Sequence, residues 1–138
     1  MDDAWCIAAL DPGREKCGLA VLSSEGEVLR RTIVKTLELK EALESAVALY
    51  GPRLILLGNG TTSQSAREII MSVFPELPLE LVDEYRTTDE ARKLYWAENP
   101  PQGWRRLLPL GMQVPPEPVD DYVAVLFARR YLKEQKES

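Results

Sequence analysis

Three apolar segments joined by short turns open the chain, and they constrain its fold more than any other feature. Residues 5–10 form a nearly unbroken apolar run, as expected of a central strand that is buried on both faces. Asp11-Pro12-Gly13 ends this run with residues typical of turns, and residues 17–22 and 27–34 follow as two further strands. Three consecutive strands with such short connections predict an antiparallel meander.

The rest of the chain alternates between strand and helix patterns. Thr87 and Glu90 have the spacing of a capping box, which predicts that a helix begins there. The prolines between residues 99 and 118 exclude any regular element in that stretch beyond a turn or two around residues 104–108. The predicted elements are helices at 36–50 and 63–74, strands at 53–57 and 79–82, and helices from 87 to about 96 and from 119 to 132.

This order of elements predicts an α/β fold in a single domain over residues 1–138. The meander followed by strand–helix alternation gives a five-stranded mixed sheet with helices on both faces. The strand that ends at Leu10 is expected at the centre of the sheet, flanked by the strand that ends near Val82. Residues 133–138 are all polar and are expected to fray.

The chain contains no histidine, and this restricts the chemistry that it can perform. Nucleophilic catalysis by a Ser-His or Cys-His pair is excluded, and so is the commonest ligand for zinc. Any enzymatic chemistry must therefore depend on carboxylates, which together with water suit Mg²⁺ or Mn²⁺.

Charge and terminal composition restrict the partners and the compartment. The net charge of −5 argues against a broad basic surface of the kind that many nucleic-acid-binding proteins carry. The N-terminus is acidic, and no apolar run approaches the ~20 residues of a membrane span. We therefore expect a cytoplasmic protein with no membrane segment, in which Cys6 and Cys17 are reduced.

Four carboxylates stand at positions where a sheet-edge site could form. Asp11 follows the first strand, Glu84 follows the strand at 79–82, and Asp120 and Asp121 lie in the first turn of the last helix. Each also has a local explanation, because Asp suits the start of a turn and acids favour helix N-termini. If the strands before Asp11 and Glu84 are neighbours, however, the acids converge, and clustered carboxylates stay ionised together only beside a cation.

Several motifs resemble those of the RuvC and YqgF families of ribonuclease-H-like nucleases. The resemblance spans almost the whole chain in the right order. The opening strand–turn–strand is similar to Asp11-Pro12-Gly13 with Gly18-Leu19-Ala20-Val21, and the fourth strand and its glycine are similar to Leu54-Ile55-Leu56-Leu57-Gly58. The YqgF signature Asp-Glu-Arg-x-Thr-Thr-x-x-Ala is similar to Val82-Asp83-Glu84 with Thr87-Thr88 and Glu90-Ala91. The last helix is similar to Val119-Asp120 with Ala124 and Tyr131-Leu132.

The resemblance implies a ribonuclease-H-like fold and a Mg²⁺- or Mn²⁺-dependent endonuclease. Carried over by position, Asp11, Glu84 and Asp120 fall on the catalytic, metal-binding acidic triad of the family. Asp121 is the alternate ligand if the last helix is aligned to RuvC. In this hypothesis two metal ions hydrolyse a phosphodiester bond, with Asp11 bridging both. The implied substrate is structured nucleic acid, either a Holliday-type DNA junction or precursor 16S ribosomal RNA.

Three departures from the family pattern concern contacts with the substrate. Tyr85 stands where the signature has arginine, and Arg86 comes one place later. The loop after the fourth strand lacks the usual proline and begins Gly58-Asn59-Gly60. The proline-rich stretch from 99 to 118 is longer than the plain YqgF connection.

A basic and aromatic group is the candidate nucleic-acid-binding surface. Positive charge beside stacking rings suits a groove that follows a phosphate backbone, whereas the acids interleaved with it fit an ordinary solvated helix face equally well. Trp96 could belong to the core. The candidate residues are Arg86, Arg92, Lys93, Trp104, Arg105 and Arg106.

Two other functions compete with the nuclease hypothesis. A nucleic-acid-binding or assembly module could keep the fold without turnover, and Tyr85 together with the acidic net charge favours it slightly. A nucleotide-binding domain of the actin/Hsp70 type also opens with Asp-x-Gly, but such proteins need two domains to enclose ATP. The expected partner is nucleic acid, with a homodimer as a further option.

Overall fold

A computed structural model of the chain describes residues 4–60, 62–84, 87–109, 113, 115 and 117–137, with the backbone alone at residues 104 and 105. Short 3₁₀ helices occur at Thr36–Glu38 and Gly103–Leu107. The strands are β1 (Cys6–Asp11), β2 (Lys16–Ser23), β3 (Val28–Lys35), β4 (Ile55–Gly58) and β5 (Leu79–Val82), and the α-helices are α1 (Leu39–Tyr50), α2 (Ser63–Val73), α3 (Thr87–Glu98) and α4 (Asp120–Glu137).

The strands form one mixed sheet in the order β3-β2-β1-β4-β5. The first three strands pair antiparallel as the predicted meander, and β4 and β5 then add in parallel on the other side of β1. The five-stranded mixed sheet and the central position of β1 are thus confirmed.

The predicted neighbour of β1 was wrong. We expected the strand ending near Val82 beside β1, but β4 occupies that place and β5 is the edge strand. Two parallel strands joined by one helix usually become neighbours, and β4 already pairs with β1, so β5 adds to the free side of β4. Any contact between Asp11 and Glu84 must therefore cross the end of β4.

The two faces of the sheet carry separate apolar cores. One face packs against α1 and α2 through residues such as Leu10, Leu19 and Leu57. The other packs against α3 and α4 through Ile7, Phe127 and their neighbours. Helices on both faces are therefore confirmed, and β1, β2 and β4 contribute alternate side chains to the two cores.

Two local expectations differ from the structure. The capping box does not form, because the Thr87 hydroxyl donates to the Glu84 carbonyl oxygen (2.6 Å) while Glu90 pairs with Arg130 (2.9 Å). Helix α4 continues to Glu137, beyond its predicted end at Leu132, since Lys, Glu and Gln are good helix formers even when exposed.

Both cysteines are free and buried, as expected of reduced thiols in a core. None of the helices within the described ranges combines the length and apolar character of a membrane span.

Candidate active site

The candidate site begins with a row of three residues across the middle of the sheet. Asp11, the last residue of β1, pairs with Gly18 of β2. On its other side the register Leu10–Leu57 continues to Gly58, the last residue of β4. Asp11 therefore carries the one side chain of this row, on the α3–α4 face and between two glycines.

The glycine of β4 makes room for Glu84. Glu84 lies two residues beyond β5, and its side chain extends over the end of β4. A methyl group on Gly58 would stand 2.5 Å from Glu84 Oε1, and one on Gly60 would stand 2.6 Å from Oε2. Both distances are too short for real atoms, so the two glycines allow the carboxyl group to reach Asp11.

Thr87 holds the backbone of Glu84 in place. Thr87 is buried, and its hydroxyl and its N–H both donate to the Glu84 carbonyl oxygen, at 2.6 and 3.2 Å. The start of α3 therefore fixes the residue whose side chain crosses β4.

Helix α4 brings Asp120 to the side of Asp11. It is the first residue of α4, and a methyl group on Gly18 would overlap its carbonyl oxygen. Gly18 therefore allows the start of α4 to lie directly on the sheet, beside the position of Asp11. Asp120 is close enough to Asp11 for its charge to raise the pKa of Asp11.

The carboxyl groups of Asp11 and Glu84 are in direct contact. Burial, then the charges of Glu84 and Asp120, then a hydrogen bond with Glu84, raise the pKa of Asp11 from 3.8 to about 7. Near neutral pH the pair thus tends to keep one proton that an isolated aspartate would lose.

The three acids do not yet form a ligand cage. Within the described ranges, no group of three or more Asp, Glu or Cys side chains is arranged to hold a metal ion. Asp11 and Glu84 touch each other, whereas Asp120 acts on Asp11 through its charge. A cation held by all three would require Asp120 to draw closer.

Asp121, the alternate ligand, is engaged elsewhere. Its Oδ2 forms an ion pair with Arg31 Nε (3.2 Å), and its Oδ1 accepts a hydrogen bond from the Tyr122 N–H (3.0 Å). Burial raises the pKa of Asp121, and Arg31 opposes that rise. The structure therefore brings Asp120, and not Asp121, to Asp11 and Glu84.

Arg31 connects three elements behind the site. From β3 it pairs with Asp121 of α4, lies 3.5 Å from Glu98 of α3, and stacks 4.0 Å from the centre of the Tyr122 ring. Asn99 donates to the Tyr122 hydroxyl (3.2 Å) and extends the network to the end of α3. These contacts hold the first turn of α4, which carries Asp120.

The predicted nucleic-acid-binding residues are only partly described. Arg92 and Lys93 are exposed on α3, and Arg106 is exposed in the 3₁₀ helix at Gly103–Leu107. Arg86 lies outside the described residues, and so do the side chains of Trp104 and Arg105. Trp96 is buried in the core, as the alternative reading of it expected.

The surface beside Glu84 is acidic. A groove of about 510 Å³ lies between β5 and α4, and its lining includes Asp83, the neighbour of Glu84 in sequence. Among the described residues, its charged lining consists of Glu80, Asp83, Glu90, Glu134 and Arg130, and Arg130 is paired with Glu90. A phosphate backbone would meet repulsion on this side.

Sequence reasoning missed the glycines and Arg31. The glycines had a signal, since Gly18 and Gly58 were already part of the family motifs, but their role as spaces for Asp120 and Glu84 required the register. No sequence signal pointed to Arg31, because an arginine in an exposed strand is not distinctive until its partners are known.

Comparison with known proteins bears on the fold. No model of a known protein family matches the chain. The chain is 28% identical over 83 residues to the uncharacterized protein YdcI of Bacillus subtilis (strain 168). The matched segment covers 54% of this chain and only 12% of YdcI. The structure of Thermus thermophilus RuvC is similar with a TM-score of 0.60 and 14% identity, over 96% of this chain and 97% of RuvC. The chain therefore has the ribonuclease-H-like fold that its motifs predicted.

Proposed function

We propose that the chain is a metal-dependent endonuclease that hydrolyses phosphodiester bonds in structured nucleic acid. The observation that carries this proposal is the contact between Asp11 and Glu84, with Asp120 beside them, at the carboxyl end of the central strands. In open α/β sheets this edge is where ligands bind. The similarity to the fold of RuvC supports a ribonuclease-H-like nuclease. The proposal of the YqgF branch rests on the YqgF-type signature in the sequence.

The donor set fits Mg²⁺ or Mn²⁺. All three candidate ligands are carboxylates, which are hard oxygen donors, and their mutual repulsion is what a cation would relieve. Such ions, when bound, supply Lewis acidity to the phosphodiester and lower the pKa of water. Asp11 and Glu84 would hold them together with Asp120.

The surrounding residues position these ligands. Thr87 fixes the backbone of Glu84, and Gly58 and Gly60 leave the path along which its side chain reaches Asp11. Gly18 and the network around Arg31 fix the turn that carries Asp120. Ligands on a sheet and on the packed start of a helix are held more rigidly than ligands on free loops.

A binding or assembly module without turnover is the second candidate. Tyr85 at the position of the signature's arginine, the net charge of −5 and the acidic groove beside Glu84 favour it, because they weaken the hold on a strand at the carboxylates, whereas binding through other surfaces does not depend on those residues. The partner in either case is nucleic acid, a Holliday-type DNA junction or precursor 16S ribosomal RNA, and a homodimer would suit a two-fold symmetric junction.

Cleavage assays on the two substrates test the proposal. A four-way DNA junction and a precursor ribosomal RNA fragment are incubated with the chain in Mg²⁺, in Mn²⁺ and in EDTA. We expect divalent-dependent cleavage of one substrate, lost in Asp11→Asn and Glu84→Gln. Glu44→Gln, an exposed acid on α1 at the other face, is the matched control and should cleave normally.

Two results would contradict the nuclease proposal. Cleavage that survives in Asp11→Asn would place the active site elsewhere. Binding without cleavage of either substrate, under any of the three conditions, would favour the module without turnover.

A further inference from the structure

Two lysines face each other across β2 and β3 at the carboxylate end of the sheet. Lys16 and Lys35 are partners in the antiparallel ladder, and both are exposed. The Thr36 N–H donates to the Glu15 carbonyl oxygen, so that neighbouring pair is hydrogen-bonded. The Lys16–Lys35 pair is then of the alternate kind, in which opposite side chains approach most closely.

Strand alternation places both lysines on the face that carries Asp11. Cys17 and its partner Val34 pack on the α1–α2 face, so the residues before and after them point to the opposite face. Gly18 and Arg31 lie on that same face, under the start of α4.

Helix α4 leaves the lysine pair uncovered. It begins at Asp120 above Gly18 and runs towards the β2–β3 turn, where Leu132 and Lys133 lie beside Ser24. The ammonium groups therefore stand beyond the start of the helix, on the side of Asp11 opposite to the acidic groove.

Two like charges directly opposite each other destabilise a strand pair. As far as the structure describes the chain, no carboxylate lies within ion-pair distance of either lysine. An anion bound between them would remove the repulsion. Phosphate groups are suitable anions, since lysine binds phosphate as a point charge without demanding a fixed orientation.

We propose that Lys16 and Lys35 bind phosphate groups of the nucleic-acid backbone next to the carboxylate site. This inference rests on the proposed function, and it adds the direction from which the strand approaches. The backbone crosses the β2–β3 side, where the lysines stand, and avoids the β5–α4 side, where the groove is acidic.

Salt-dependent binding tests this contact. Fluorescence anisotropy follows a labelled four-way DNA junction binding to the Asp11→Asn chain in EDTA, between 50 and 200 mM salt, so that cleavage plays no part. In the Lys16→Gln/Lys35→Gln variant we expect weaker binding and a log–log salt slope that is flatter by about one unit for each lost contact. Lys16→Arg/Lys35→Arg should keep the parent slope.

The control removes the same charge at the far end of α4. Lys133→Gln/Lys136→Gln should leave the slope unchanged, because both residues lie near the β2–β3 turn. Equal flattening in the two double variants would reduce the effect to net charge and overturn the inference. So would an unchanged slope in Lys16→Gln/Lys35→Gln, or a parent that binds neither the junction nor a labelled precursor ribosomal RNA fragment.

Two further measurements separate the possible failures. The melting temperature of Lys16→Gln/Lys35→Gln should not fall, because the repulsion is removed; a fall would mean that the lysines serve the fold. If cleavage is absent but the lysine-dependent slope persists, the proposed nuclease function fails alone. If cleavage is present and the slope does not depend on the lysines, this inference fails alone.

Discussion

The two faces of the sheet differ most at the carboxyl end of its central strands. On the α1–α2 face the row across β2, β1 and β4 reads Leu19, Leu10 and Leu57, all essentially buried. One residue further along, on the α3–α4 face, the row reads Gly18, Asp11 and Gly58. The same three strands thus hold a close-packed leucine layer on one face and a half-buried carboxylate on the other. A rigid core on one face can therefore fix a site on the opposite face at a distance of one residue.

The largest expected difference between the two faces concerns cleavage and stability, and it is measured by substituting the adjacent residues Asp11 and Leu10 of β1. Asp11→Asn should lower cleavage more than about 100-fold, because changing even the outer partners of metal ligands costs about 10–100-fold. Its stability at pH 8 should rise, since a buried, repelled carboxylate is removed. Leu10→Ala should lower the free energy of unfolding by about 2–5 kcal/mol. Cleavage rates of the folded protein and urea unfolding curves measure the two effects.

This comparison fails if the two substitutions behave alike. A loss of stability in Asp11→Asn would mean that Asp11 serves the fold as Leu10 does. A loss of cleavage in folded Leu10→Ala as large as that in Asp11→Asn would mean that the two faces are not separable.

The pH dependence of stability should also distinguish the faces. Because the folded state raises the pKa of Asp11 from 3.8 to about 7, the folded chain binds a proton that the unfolded chain releases in this range. The free energy of unfolding should therefore fall as the pH rises from about 4 to about 7, by up to roughly 4 kcal/mol. Urea unfolding across this range should show the slope in the parent and in Leu10→Ala, but not in Asp11→Asn. A parallel slope in Asp11→Asn would assign it to other groups.

Gly58→Ala tests the space that the α3–α4 face keeps open. The new methyl group would meet Glu84 Oε1 at 2.5 Å and Phe127 Cε2 at 2.8 Å, so we expect a loss of about 1–3 kcal/mol together with reduced cleavage. Gly60→Ala is the comparison variant, because the three atoms nearest to its methyl group all belong to Glu84. Combining Gly58→Ala with Glu84→Ala in a double-mutant cycle separates the two contacts. Unchanged stability and cleavage in Gly58→Ala would show that the strand end shifts freely.

The fold was largely predictable because its elements follow from local patterns. Apolar runs, turn residues and helical spacing depend on neighbours in sequence, so the meander, the alternation and the central position of β1 could be inferred. The neighbour of β1 could not, because strand order depends on long-range pairing. Residues such as Asp11 and Glu84 could be nominated from strand ends and from the resemblance.

The geometry of the site lay beyond the sequence for a related reason. A glycine has no side chain, so the sequence alone does not indicate its role. Only the strand register shows that Gly18 and Gly58 flank Asp11. The choice between Asp120 and Asp121 was open because both helical stripes are apolar. In the structure Arg31, a residue far away in sequence, pairs with Asp121, and no periodicity within α4 contains that information.

Arg31→Met gives the smallest expected effect, and it tests whether the edge of the α3–α4 face supports the site. The substitution keeps an apolar side chain against Tyr122 but leaves the Asp121 carboxylate without its ion pair. We expect a loss of about 1 kcal/mol, since Arg31 is one-third exposed, and weaker Mg²⁺ binding through the displaced first turn of α4. Arg31→Met/Asp121→Asn should recover most of the stability, because the uncompensated carboxylate is gone.

Arg30→Met is the matched control. Arg30 is the neighbouring position of the strand and points to the other face, so this substitution should change neither the stability nor the Mg²⁺ binding. If Arg31→Met lowers stability while Mg²⁺ titration of the folded chain is unaffected, the network supports the fold alone, and Asp120 is positioned by Gly18 without it.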